Sequence, residues 1–129
     1  MTRLTRQTLA LLLALIVLAA AVPGEVGAHA FPIRSDPRVG WTISSSPPSV
    51  RIWFDGELEP AFSAIAVYNA DKQRVDRGNG KVNPSDAMLL EVDLPPLPPG
   101  TYRVVWSVVA RDTHRTEGDF PFTIQGKSP

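Results

Sequence analysis

The chain holds only two histidines, His29 and His114, and no cysteine. His114 closes the stretch Arg111-Asp112-Thr113-His114. In extended backbone, residues i and i+2 project to the same side. Asp112 and His114 are therefore expected to offer a carboxylate oxygen and an imidazole nitrogen to one point, with Thr113 turned away. Two donors do not make a site. If His29 begins the mature chain it adds two more, because its free α-amine and ring Nδ1 can close a six-membered chelate on one ion. Three nitrogens and one oxygen form the tetragonal N,O set that Cu(II) prefers, and Cu(II) heads the affinity order of the divalent metals. Amine and imidazole ligands bind metal only without the competing proton, so affinity is expected to fall in acid.

Whether His29 is terminal depends on the residues before it. Arg3 and Arg6 precede an unbroken run of fourteen apolar residues over 9–22. A bilayer-spanning helix needs about 20 such residues, whereas the core of a secretory signal needs ~7 to 15. Residues 1–28 are therefore read as a cleavable signal peptide, and residues 29–129 as the mature domain. Two cleavage sites overlap: Val26-Gly27-Ala28 before His29, and Ala28-His29-Ala30 before Phe31. The first keeps His29 and the second removes it. No cysteine follows the leader and its arginines are not adjacent, which excludes a lipoprotein anchor and gives no support to a twin-arginine signal. The protein is expected in the periplasm, or otherwise exported.

One small domain remains. Without Arg3, Arg6 and Glu25, eleven basic and twelve acidic side chains are left, a balance opposed to nucleic-acid binding, which clustered Lys and Arg drive. The absence of cysteine removes disulfides from an exported fold, and with them thiolate metal sites, blue-copper centres and cysteine nucleophiles.

The elements that must position the donors read as strands. Val50-Arg51-Ile52-Trp53-Phe54 alternates, placing Val50, Ile52 and Phe54 on one face. Further strands are expected over 62–68, 89–94, 101–110 and 116–124, the last with Phe120, Phe122 and Ile124 pointing inward. Pro47-Pro48, Asn79-Gly80, Asn83-Pro84 and the 95–100 stretch mark connections. Thirteen prolines oppose a helical domain. The spacing fits an all-β, immunoglobulin-like Greek-key sandwich of about seven strands. Trp41, Trp53 and Trp106 are expected in the core, as is Met88, and residues 126–129 form a tail.

Plainer readings exist. An aspartate two residues from a histidine is more often a solvated loop or a structural hydrogen bond than a ligand pair. A hydrolase triad of Ser63 or Ser107 with Asp112 and His114 lacks a nucleophile elbow.

The chain resembles the CopC-like periplasmic copper resistance proteins over nearly all of residues 28–125. The resemblance is carried by Ala28-His29-Ala30, Ser35-Asp36-Pro37 with Gly40, and Glu59-Pro60-Ala61-Phe62-Ser63. Leu97-Pro98-Pro99-Gly100-Thr101-Tyr102 continues it into Val105-Trp106-Ser107-Val108-Val109. Asp112-Thr113-His114, Gly118, Phe120 and Phe122 complete it. It implies a seven-stranded Greek-key sandwich, monomeric and not an enzyme, that binds one Cu(II) for homeostasis or resistance. The ligands it implies are the mature amino terminus, the imidazoles of His29 and His114, and Asp112. An inner-membrane copper importer of the CopD type is the implied recipient. Two departures stand out. Thr113 replaces the glycine of the family's Asp-Gly-His. Phe54-Asp55-Gly56-Glu57 replaces a Phe-Ser-acidic run, leaving Asp55 or Glu57 to steady a histidine ring. One methionine after the leader cannot build the Cu(I) site of some relatives, so a Cu(II)-only protein is expected. Two other classes fit parts of the pattern: a copper-dependent polysaccharide monooxygenase, which also uses an amino-terminal histidine, and a metal-free interaction domain.

Overall fold

The structure, a computed structural model, describes residues 29–126. The leader expected over 1–28 and residues 127–129 of the tail lie outside the described residues. Eight strands form the fold: β1 (Pro32–Asp36), β2 (Thr42–Ile43), β3 (Ser49–Phe54), β4 (Ala64–Tyr68), β5 (Lys81–Asn83), β6 (Asp86–Asp93), β7 (Gly100–Val109) and β8 (Arg115–Ile124). They make two four-stranded sheets, ordered β1-β3-β6-β5 and β2-β8-β7-β4. The chain crosses between sheets at every connection from β1 to β5 and again from β6 to β7, the connections of a Greek-key sandwich. The all-β expectation holds. Beyond the five strands placed by sequence stand β1, β2 and β5.

Period-two patterning explains the sheets. In β3, Val50, Ile52 and Phe54 are buried while their neighbours are half-buried. In β8, Phe120, Phe122 and Ile124 are buried in the same rhythm. These side chains meet Val104, Val108 and Trp106 of β7 between the sheets, each buried large apolar residue contributing about 1.5–3 kcal/mol by leaving water. Trp106 lies edge-on to Phe54, ring centroids 5.2 Å apart.

Several expectations fail locally. The strand expected over 62–68 begins only at Ala64, because Pro60–Phe62 is a 3-10 turn. Phe62 N–H donates to the Glu59 carbonyl at 3.2 Å and Ser63 Oγ donates to the same oxygen at 2.8 Å, so the turn is closed twice. Phe62 points outward, 62% exposed. Of the three tryptophans only Trp106 is core. Trp41 is 52% exposed, and half-buried Trp53 lies on the outer sheet face beneath Arg34, whose guanidinium carbon is 4.0 Å from the ring centroid. An indole can cover a sheet face with an arginine above it as well as fill a core. Met88 is 42% exposed, since β6 buries consecutive Leu89 and Leu90 and thereby breaks the alternation around it.

This architecture fixes one end of the sandwich. β7 and β8 pair continuously from Gly100↔Ile124 to Val109↔Arg115, which holds the connecting loop rigidly at its tip. β1 enters at the same end, with Pro32 opposite Phe54, and a bridge between Leu58 and Ala110 joins the two sides.

Candidate metal centre

Five residues, 110–114, connect β7 to β8, and Ala110 and His114 close a three-residue turn between them. Ala110 N–H donates to the His114 carbonyl at 3.0 Å, and Thr113 N–H donates to the Ala110 carbonyl at 2.8 Å. Thr113 takes the left-handed conformation that commonly closes such turns, φ 77°. Asp112 and His114 therefore share a side, but not through extended backbone as expected. The turn folds the aspartate back over the histidine. Asp112 Oδ1 accepts from His114 N–H at 3.2 Å, and its Oδ2 lies 3.0 Å from His114 Nδ1.

His29 arrives from the other side. Its ring centroid stands 4.6 Å from that of His114, with the planes at 88°, and Phe31 adds an edge contact at 6.0 Å. One donor atom each from His29, Asp112 and His114 lie within 4.8 Å of one another. Two nitrogens trans across a single ion are about 4 Å apart at ordinary metal–nitrogen distances. The cluster is wider than this by less than an ångström, which side-chain rotation can close. The Asp112 side chain is 26% and the His114 side chain 44% exposed, so an ion can enter from solvent.

A clamp holds the segment that carries His29. Ala30 is completely buried and packs on Gly56, where an added Cβ would come within 3.8 Å of it. Its carbonyl accepts from Thr116 Oγ1 at 2.7 Å. The next residue is gripped by the residue that follows β3: Phe31 N–H donates to Asp55 Oδ1 at 2.7 Å, and Asp55 N–H donates to the Phe31 carbonyl at 2.9 Å. Glu57 ties down the other half of the site through an ion pair with Arg111, 2.5 Å from Nη1, and through its carbonyl, which accepts from Arg111 N–H at 3.1 Å. Asp55 and Glu57 thus brace the two chain segments. Among the described residues, neither hydrogen-bonds a histidine ring, the role expected of one of them.

Partial desolvation pushes the Asp112 carboxyl up. The His114 amide and ring, together with the charges of His114 and His29, outweigh it and hold the carboxyl below its ordinary range. The aspartate is therefore ionised at neutral pH, ready to accept from an imidazole or to bind a cation.

No hydrolase triad is assembled. Ser63 Oγ is taken up by Glu59 and by Val109 N–H, 3.3 Å away, and Ser107 Oγ accepts from Arg115 Nη1 at 2.5 Å. Thr116, Ala30 and the role of Asp55 were missed by sequence reasoning. Their contacts join residues 86 and 24 positions apart, and no local pattern signals them.

Comparison with known proteins agrees with the fold. The copper transport protein CutJ of Bacillus subtilis is 33% identical over 104 residues, which is 80% of this chain; the chain spans 19% of that relative's length. The crystal structure of CopC from Methylosinus trichosporium OB3b superposes with a TM-score of 0.70 at 31% identity, covering 75% of this chain and 94% of that one. PcoC, a methionine-rich copper resistance protein from Escherichia coli, gives 0.65 at 28% identity over 76% of this chain and all of its own. The CopC domain model matches residues 33–125, which take in every strand but the first residue of β1 and include both Asp112 and His114; the chain belongs to the CopC domain family.

Proposed function

We propose that the protein is exported, begins at His29 after cleavage, and captures one Cu(II) for delivery or sequestration, without catalysis. The ligands are the His29 amine and ring, Asp112 and His114. The observation that carries this reading is the meeting of His29, Asp112 and His114 at one end of the sandwich. A start at Phe31 would remove Ala30, whose buried side chain and bonded carbonyl are part of the fold. Cleavage before His29 keeps that anchor and frees the nitrogen next to the cluster.

The chemistry of the donors supports Cu(II) over harder or softer ions. Imidazole, amine and carboxylate suit a tetragonal borderline metal, and no thiolate is present. CutJ is a copper transport protein and PcoC a copper resistance protein, which supports copper as the ion. With Nδ1 of His114 turned to Asp112, its Nε2 is left for the metal, and the hydrogen bond that Nδ1–H donates to the carboxylate fixes the ring. The carboxylate has lone pairs to spare, so it can steady the ring and still face the ion. An inner-membrane importer of the CopD type is the recipient implied by the family likeness.

The decisive experiment adds one residue before His29 and leaves every side chain in place. Mass spectrometry of the exported protein first establishes its start. Competition titration with Cu(II) should then show the extended form binding at least about 100-fold more weakly, as expected when a chelating amine becomes an amide. Equal affinity of the two forms, or a mature start at Phe31, overturns the ligand set.

A further inference from the structure

Away from His29, the edge of the sandwich carries a second concentration of exposed residues that the copper site does not use. Arg34, Arg38 and Arg51 share an open cleft of about 530 Å³ with Trp41 and Trp53. The Arg34 and Arg51 guanidiniums stand 4.0 Å and 5.0 Å from the Trp53 ring, and that of Arg38 stands 4.6 Å from the Trp41 ring. Arg51 is partly balanced by Glu91 at 3.6 Å. Asp36 also lines the cleft, yet among the described residues neither it nor Arg34 or Arg38 takes part in an ion pair. Two guanidiniums over one indole repel each other, and an anion from outside relieves that repulsion.

The rim of this cleft is apolar. Ile33 is 69%, Val39 63% and Trp41 52% exposed, and Ile33 and Val39 line an adjoining cleft that shares Arg34 and Ser35 with the first. These side chains are presented by a braced backbone. Trp41 N–H donates to the Arg38 carbonyl at 3.1 Å, Thr123 N–H donates to the Trp41 carbonyl at 2.9 Å, and Gly40 N–H donates to the Pro121 carbonyl at 2.8 Å.

We infer that this edge docks the protein on an anionic phospholipid surface, with Trp41, Val39 and Ile33 entering the headgroup layer and Arg34, Arg38 and Arg51 pairing with phosphates. Rigidly exposed indole and aliphatic side chains beside guanidiniums are the composition of interfacial anchors, and the cationic cluster complements anionic headgroups. A soluble acidic partner would match the charge but gives no reason to expose Ile33, Val39 and Trp41 together. Trp41 packs beside Thr123, eight residues along β8 from Arg115, about 25 Å at the rise of a strand. Trp41 therefore docks far from the metal end, whereas Ile33, four residues along the chain from His29, seats the start of β1 against the lipid. The inference rests on export but not on the ligand set.

Sedimentation of the processed, exported protein with vesicles tests it, comparing phosphatidylglycerol–phosphatidylethanolamine with pure phosphatidylcholine. Partitioning should occur on the anionic vesicles, be negligible on the neutral ones, and vanish at high salt. Arg34→Gln with Arg38→Gln should lower the partition coefficient about 25-fold, at roughly fivefold per charge near the surface. Trp41→Ala should also weaken binding and abolish the blue shift of tryptophan fluorescence on vesicle addition. Cu(II) affinity should be unchanged in both variants, which separates a failure here from a failure of the copper reading. Equal partitioning on anionic and neutral vesicles overturns the inference. So does a double variant that binds like the parent, or retention on an immobilised acidic protein without vesicle binding.

Discussion

Thr113 stands where the hairpin would accept glycine at no cost. At φ 77° a β-branched side chain crowds its own backbone, and the left-handed conformation costs an L-residue about 1–2 kcal/mol. Its hydroxyl donates to the Asp112 carbonyl, which returns part of that energy. Glycine would lose the strain but enlarge the unfolded ensemble by about 0.5–1 kcal/mol. With the hydroxyl bond also lost, the balance favours Thr113→Gly by at most about 1 kcal/mol, a rise in Tm of no more than roughly 4–8 °C for a domain of this size. Cu(II) affinity should not change, because the turn bonds that aim Asp112 and His114 run through backbone atoms that glycine keeps. Thermal unfolding of the metal-free variant checks this, and a lower Tm would show that the loop is not strained at Thr113. The sequence made the Asp112–His114 pair visible through its two-residue spacing. The reason for their proximity was not visible, since an extended strand and a left-handed turn both place such residues on one side.

Among the strands, legibility followed length and amphipathicity. β3 and β8 were readable because Val50, Ile52 and Phe54, and likewise Phe120, Phe122 and Ile124, all face one core. β2 and β5 have two and three residues, too few for any period to register; each exists because a longer neighbour, β8 or β6, offers it a partner. Trp41 and Trp53 misled because residue type signals burial, whereas the arginines stacked on them, Arg38 on Trp41 and Arg34 and Arg51 on Trp53, hold them on the outer surface. Gly118 is the opposite case: conspicuous in the motif, with its reason supplied only by the fold. It pairs with Trp106 across the β7–β8 ladder, and a Cβ there would lie 2.4 Å from Trp106 Cζ2 and 2.8 Å from Cε2. Since Trp106 is also wedged against Phe54, the indole cannot retreat without disturbing the core. Gly118→Ala should therefore destabilise the fold by about 1–3 kcal/mol through overpacking. Denaturant unfolding measures this. A midpoint unchanged from the parent would mean that the two sheets separate more easily than their packing implies.

At the scale of the molecule, metal release and unfolding should occupy different ranges of pH. Cu(II) binding through an α-amine, whose ordinary pKa is ~7.7–8.0, competes with protons as pH falls from about 8 to 5. The fold depends on carboxylates that titrate lower. The Asp76 side chain is fully buried and accepts from Val67 N–H at 2.8 Å, Gly78 N–H at 2.8 Å and Arg74 Nε at 2.9 Å. Desolvation pushes its carboxyl up, but Arg74 and the two amides prevail and hold it below the usual value. A depressed carboxylate contributes stability that is complete above its unfolded pKa of about 3.9 and is lost as pH falls through the lower folded value. Asp112 is shifted in the same direction, so both groups place acid unfolding below about pH 4. Copper should therefore leave an intact sandwich. Cu(II) titration and circular dichroism at pH 7.5, 5 and 3 should show affinity falling by pH 5 with the β-sheet spectrum retained, and the spectrum failing only near pH 3. Asp76→Ala, which strands two amides and a guanidinium, should cost about 3 kcal/mol at pH 7 and flatten the acid limb, while leaving the copper profile above pH 5 in place. Loss of copper and of structure at the same pH would mean that protons free the metal by unfolding the protein and not by competing for its ligands.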